Sequence, residues 1–482
     1  MPLSPVMYIL GILLSLLAVA MLIPAGLDFY DGHENWAGFL GSSAITLFFG
    51  FGLLLSTRLN DTGNINLRQA FLLTNLAWMS IGLFGALPFL LSDTDMDIHD
   101  AVFESVSGVT TTGSTVIPLL EVMSRGILMW RAVLQWLGGI GIIVMALAVL
   151  PMLSIGGMQL FRTESYETPD KVIPRATELA GGIFLIYTLL TLIWAFMFRL
   201  AGMPGFDALT HAMTTLATGG FSTRTASIGS FNNSLVEILV IAGMIVGSLP
   251  FAHYLAMTRG GWKNLIEDPQ VRWFAAIIAT VSLLITLQLM SSIDLNFLDA
   301  LRQASFNTVS LMTGTGYSST DYGLWGGQTT VILLIAMFIG GCAGSTTCGI
   351  KMFRLQVLAA TARVQMARLL RPHAVNVVYY NRRPVPETVM DAVMAFFYLY
   401  ILSFVLIAIM LGLSGLDFIT ALSGAATSIS NVGPGLGEMI GPSGSFEDIN
   451  SAAKWIMVAG MILGRLELFT VLVILMPGFW RR

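Results

Sequence analysis

The chain has 482 residues, of which 55% are hydrophobic and only 11% charged, with a formal net charge of -4. Soluble domains carry roughly 25% charged residues, so 24 basic and 28 acidic side chains cannot cover a soluble protein of this length. With a mean hydropathy of +0.78, these figures exclude a disordered chain and a nucleic-acid binder and point to lipid as the solvent.

Ten spanning segments are predicted, at 6–26, 37–56, 69–91, 127–150, 178–200, 233–257, 273–292, 327–351, 389–411 and 451–476. Each approaches the ~20 residues that cross a hydrocarbon core of about 30 Å. The first has no basic stretch before it and no clear cleavage site, so a retained helix is expected, not a signal peptide. One set of connections carries Arg58, Arg68, Arg162, Lys171, Arg175, Arg259, Lys263, Arg272, Lys351, Arg354, Arg363, Arg368, Arg371, Arg382, Arg383, Arg481 and Arg482. The other carries only Arg125, Arg131, Arg199, Arg224, Arg302 and Lys454. The positive-inside rule puts the first set, and both termini, in the cytoplasm. Asp28, Asp31, Glu34, Asp93, Asp95, Asp97 and Asp100 fall on the outer side, where they suit an entrance for cations.

Four outer connections share one grammar. An acidic residue (Asp100, Asp207, Asp299, Asp417) opens a short half-apolar stretch rich in hydroxyls, and a glycine-containing extended piece follows. The pieces read Thr110-Thr111-Thr112-Gly113, Ala217-Thr218-Gly219-Gly220, Met312-Thr313-Gly314-Thr315-Gly316 and Asn431-Val432-Gly433-Pro434-Gly435. The sequence aligns Gly113, Gly219, Gly314 and Gly433 as one recurring glycine, a divergent repeat of about 100 residues. A half-helix of ~10–12 residues cannot span the bilayer. If it enters and returns, its non-helical strand must face protein or water. Four such strands would form a ring of carbonyl dipoles able to replace a cation's hydration shell. Ordinary turns, or the broken helices of a carrier, are the competing readings.

The eighth span breaks into Gly340-Gly341-Cys342-Ala343-Gly344-Ser345-Thr346-Thr347-Cys348-Gly349, a poor helix interior. It is either close helix packing or an unwound segment beside a cavity. Arg465 reads as the one basic residue well inside a span, which is costly and therefore functional or paired. Cys342 and Cys348 have no neighbours that complete a zinc set, and their pairing stays open. Gly138-Gly139-Ile140-Gly141 reads as helix packing and not as a dinucleotide fingerprint. No catalytic cluster is visible, so an enzyme is not expected. A proton- or sodium-coupled carrier (a symporter) is the alternative, with Glu467 its strongest titratable candidate.

In this span order, the four stretches resemble the bacterial Trk/Ktr/HKT potassium transporter superfamily over essentially the whole chain. Within it the match is to the pore-forming membrane subunit of the Trk system. The resemblance implies an all-α polytopic membrane fold with four helix–pore helix–helix repeats around a central pore, plus two N-terminal transmembrane helices. These would occupy 61–158, 159–260, 261–372 and 373–482, after the N-terminal pair at 1–60. It implies potassium (K+) as bound and transported ion, with no organic cofactor, at Thr111, Thr112, Gly113, Thr218, Gly219, Thr313, Gly314, Asn431, Val432 and Gly433. It implies that 340–349 is an intramembrane gate and that Arg465 projects into the pore beside it. It further implies a homodimer in the inner membrane and a cytosolic regulatory subunit that binds a nucleotide. The basic segment from Lys351 to Arg383 would meet that subunit or anionic membrane lipids.

Overall fold

The computed structural model describes residues 3–57, 66–145, 172–258, 260–374 and 376–481, with the side chains of 172–179 set aside. Arg58, Arg162, Lys171, Arg259 and Arg482, the end of the fourth predicted span, and the repeat boundaries near 61 and 158 lie outside the described residues.

Among the described residues, seven helices are long and apolar enough to cross a membrane: Ser4–Asp31, Asn35–Thr57, Leu67–Leu91, Arg125–Val144, Ala180–Leu200, Pro269–Ser292 and Glu387–Leu413. Their starts follow local chemistry. Asn66 and Gln69 form a reciprocal capping box ahead of Leu67, and Asp268 caps a helix that begins with Pro269. The helices differ in what surrounds them. Only 28%, 28% and 22% of the apolar windows in Ala180–Leu200, Pro269–Ser292 and Glu387–Leu413 are buried, so these face lipid. The figure is 78% for Arg125–Val144, which is therefore interior.

Among the described residues, three of the ten predicted spans are bent or broken. The sixth bends by 94° between Ser248 and Phe251, where Pro250 cannot donate the hydrogen bond that would continue the helix. The tenth bends by 112° between Arg465 and Phe469, where Glu467 and Leu468 take positive φ of 61° and 35°. The eighth is helical only over Gly327–Ala336. A short antiparallel pair, Tyr379–Tyr380 with Arg383–Pro384, is the one sheet among the described residues.

Between the spans lie four short helices: Ile98–Val109, Gly205–Leu216, Phe297–Met312 and Phe418–Ser430. Asn296 and Asp417 cap the last two through backbone amides, and Asp100, Asp207 and Asp299 occupy first turns, where an acid complements the helix dipole.

Candidate functional site

Each short helix ends in an extended return segment, and hydrogen bonds fix a common register. The amides of Thr112, Gly219, Thr315 and Val432 donate to the carbonyls of Ser107, Thr214, Ser310 and Thr427 at 2.9, 2.9, 2.9 and 3.1 Å. One residue before each amide, Thr111, Thr218, Gly314 and Asn431 adopt φ of 54°, 50°, 69° and 55°. One residue after it, Gly113, Gly220, Gly316 and Gly433 have φ of 88°, 78°, 80° and 108°. The structurally equivalent glycines are therefore 113, 220, 316 and 433. The alignment of Gly219 and Gly314 with Gly113 and Gly433, drawn from the sequence, is out of register by one and by two residues. Thr-Gly matched Thr-Gly in the sequence, but the left-handed turn that precedes the equivalent glycine is made by Thr218 in one copy and by Gly314 in another.

The four segments close on themselves. A Cβ on Gly113 would collide with the carbonyl oxygen of Gly219, one on Gly220 with that of Thr315, and one on Gly316 with that of Val432. A Cβ on Gly433 would sit 2.9 Å from the Thr112 oxygen, which completes the circuit. At these four positions, glycine answers both the positive φ and the close approach. The fourth junction is stitched further: Asn431 Nδ2 donates to Thr112 Oγ1 at 2.8 Å, and Ser114 Oγ donates to the Gly433 carbonyl at 2.6 Å. Asn431 Nδ2 also reaches the Met461 carbonyl at 2.9 Å, so its amide ties segments together.

Behind the ring, three short helices brace the outer limb of their own segment from one position, three residues before the residue whose carbonyl sets the register. Glu104 accepts from Val116 N at 2.9 Å and Thr115 Oγ1 at 3.0 Å. His211 Nε2 pairs with Ser222 Oγ at 3.0 Å. Asn307 Nδ2 donates to Ser319 Oγ at 3.1 Å. In the fourth copy this position is Gly424, and Ser423 Oγ instead accepts from Leu436 N at 2.9 Å.

Beneath the ring, the three breaks in the spans meet. The 340–349 stretch is unwound and, apart from Gly349, almost wholly buried, which decides against a plain helix-packing motif. Cys342 N donates to Ser248 O at 3.0 Å, Thr346 N to Gly247 O at 3.2 Å, and Phe251 N to Gly344 O at 3.0 Å. The loop thus satisfies the backbone groups freed by the bend at Pro250. Gly340 and Gly341 give it close backbone approach, and Ala343 N is held by Gln270 Oε1 at 2.9 Å. Ser345 Oγ and Thr347 Oγ1 pair at 2.8 Å. Thr346 Oγ1 accepts from Thr218 Oγ1 at 3.0 Å, a direct contact between loop and return segment. Cys342 and Cys348 are free thiols.

Arg465 is 1% exposed. Its guanidinium donates to Thr346 O at 3.1 Å, Cys348 Sγ at 2.8 Å and Gly138 O at 2.8 Å. It is not the only buried cation: Arg131, Lys351, Arg354 and Lys454 are also buried. Lys351 Nζ donates to the Thr347 carbonyl of the loop. Glu467, the candidate for coupled transport, is bound to the Arg354 guanidinium. Among the described residues, no cluster of His, Cys, Asp and Glu could hold a metal ion.

Sequence reasoning missed Arg131, Gln135 and Lys351. The signal was present: Arg131 and Gln135 are polar residues one turn apart inside an apolar run, where a polar side chain is expensive unless it has work.

Comparison with known proteins places the chain among potassium uptake proteins in sequence and in fold. The chain is 42% identical to the Trk system potassium uptake protein TrkI of Halomonas elongata, covering 99% of this chain and 97% of the relative. It is 37% identical to the TrkH protein of Escherichia coli K12, covering 98% of each. The crystal structure of the potassium transporter TrkH from Vibrio parahaemolyticus superposes with a TM-score of 0.92 at 37% identity, covering all of both chains. A family model described as a cation transport protein, TrkH, matches residues 38–479, and the chain belongs to that family.

Proposed function

We propose that this chain takes up potassium across the bacterial inner membrane through a channel-like pore. One observation carries the reading: four return segments close into a ring in which each register glycine meets a main-chain carbonyl of the next segment. Relatives named as potassium uptake proteins, alike over nearly their full length, support potassium as the cation. The ion is held by backbone around Thr111, Thr112, Gly113, Thr218, Gly219, Thr313, Gly314, Asn431, Val432 and Gly433, to which the register adds Gly220, Thr315 and Gly316. Carbonyl oxygens there stand in for water, and four helix C-termini add negative potential. The 340–349 loop, held by Arg465, blocks the pore beneath. The repeats occupy 61–158, 159–260, 261–372 and 373–482, with both termini cytoplasmic.

The protein works as a homodimer with a cytosolic nucleotide-binding regulatory subunit. Support for a cytosolic partner lies on Met352–Leu370, whose last turns carry Arg363 and Arg368 beside Leu369 and Leu370, both over 80% exposed. The test is flux into proteoliposomes of the purified chain. Rubidium uptake driven by a potassium gradient alone is expected. Uptake that strictly requires a proton gradient would overturn the channel-like reading in favour of coupling.

A further inference from the structure

We infer that Arg131 and Gln135 are positioning residues that set the ion preference of the pore by clamping the second return segment from the first repeat. This rests on the filter reading above. The two side chains are one helical turn apart, so they share a face, and both reach residues 219–222. Gln135 Nε2 donates to the Gly219 carbonyl at 2.5 Å while its Oε1 accepts from Phe221 N at 3.0 Å. Arg131 Nη1 donates to the Ser222 carbonyl at 2.8 Å, and its guanidinium lies 4.0 Å from the centroid of the Phe221 ring. Its charge is met by Glu104, fully buried, at 2.7 Å. Glu104 in turn holds Thr115 and Val116. One buried network therefore fixes the outer limb of the first segment and both ends of the second.

Among the described residues, the first repeat's pairing of a cation and an amide on this face has no counterpart in the second and fourth repeats. Gly138, Gly247 and Gly464 pack in the same way, each against the carbonyl four residues before the register glycine of its own repeat (Val109, Leu216, Ile429). Three residues before these glycines stand Gln135, Met244 and Met461, and seven before stand Arg131, Val240 and Met457. The second and fourth repeats thus place apolar side chains where the first places a donor and a cation. In the third, the helix stops at Ala336 and the gate loop takes its place.

The Gly219 oxygen is equivalent in register to those of Thr112, Thr315 and Val432. A donor on it occupies one lone pair and fixes its distance from the other three. Sodium is smaller than potassium, so a ring must contract to hold it. The clamp resists that contraction on one side. Releasing the second segment therefore admits sodium.

The test uses Gln135→Met, which installs the residue that the second and fourth repeats already carry, and Arg131→Lys, which keeps a cation for Glu104 but loses the fork to Ser222. Sodium and potassium fluxes are measured in proteoliposomes with monodisperse full-length protein. In parallel, anomalous density is collected from crystals soaked in rubidium. Loss of one hydrogen bond is expected to raise the sodium-to-potassium flux ratio about fivefold for Gln135→Met, and by a similar factor for Arg131→Lys. If Gln135→Met does not stay monodisperse, Gln135→Leu takes its place with the same expected ratio. Rubidium seated between the four segments with an unchanged ratio in both variants would overturn the clamp and leave the filter standing. Rubidium absent from the ring would overturn the filter reading and the clamp with it.

Discussion

Arg465→Ala tests the gate most directly. The wild-type guanidinium makes two bonds that exist only with the loop in place, to Thr346 O at 3.1 Å and Cys348 Sγ at 2.8 Å. The third, to Gly138 O at 2.8 Å, joins two helices and does not depend on the loop. A hydrogen bond from a charged donor contributes about 1.5–3 kcal/mol. If only the Thr346 bond is counted, its loss weakens the closed position about tenfold to a hundredfold. The removed positive charge also lowers the barrier for a cation. Rubidium flux through the chain alone, without any partner, is therefore expected to rise at least tenfold at matched protein content. Equal or reduced flux would refute the assignment of Arg465 as a latch. Arg465→Lys, which keeps the charge but not the fork, is expected to fall between the two.

Four other outcomes follow from the geometry. Gly220→Ala, with φ of 78° and the Thr315 carbonyl in its path, is expected to abolish transport; the nearest atoms to a Cβ on Gly219 belong to the Gln135 side chain and not to backbone, so Gly219→Ala is expected to displace Gln135 yet retain some flux, a difference in flux assays that checks the register. Glu104→Gln strands the buried Arg131 charge, so a loss of about 3–5 kcal/mol is expected, read as a lower melting temperature in detergent; Glu104→Gln with Arg131→Met is expected to recover most of it. Thr346→Val removes the hydroxyl that meets Thr218, Leu216 O and Gly247 O and is expected to raise flux in the same proteoliposome assay. Asp417→Ala removes a helix cap, at a cost of about 1 kcal/mol in stability. Hydrogen bonding to Thr420 holds the Asp417 carboxyl below its ordinary value, and the Ile419 amide adds to this. A depressed folded pKa means that this contribution is fully present above the unfolded value near ~4 and is lost as pH falls through the lowered one. The melting-temperature gap between wild type and Asp417→Ala is thus expected to be constant from neutral pH down to about pH 4 and to close below it.

The chain displays its solvent and its element types plainly. Runs such as 178–200, the fifth predicted span, are long enough to cross a bilayer. The acidic openings at Asp100, Asp207, Asp299 and Asp417 mark short helices because a carboxylate at a helix start is a local device. The break at 340–349 is visible because glycines and hydroxyls in lipid need a protein-lined reason. What could not be read is whatever depends on a partner distant in sequence. The register of the second and third return segments is one such case. Thr218-Gly219 and Thr313-Gly314 look alike, yet only hydrogen bonds to Thr214 and Ser310 decide which residue turns left-handed. The bend at Glu467 is another, since nothing within a few residues of it requires a break.

Residue type and order by themselves determined that the chain lies in a membrane, and marked four short hydroxyl-rich stretches, each followed by a glycine-containing piece, between its spans. Hydropathy and capping act over a few residues, so a linear reading captures them. Tertiary structure alone decided that Gly113, Gly220, Gly316 and Gly433 are the equivalent positions, that Arg465 holds the loop, that Glu467 belongs to Arg354, and that Arg131 and Gln135 grip a neighbouring repeat. Buried charge and close backbone approach are settled by which atoms meet. In this fold the atoms that meet at the pore come from segments about a hundred residues apart.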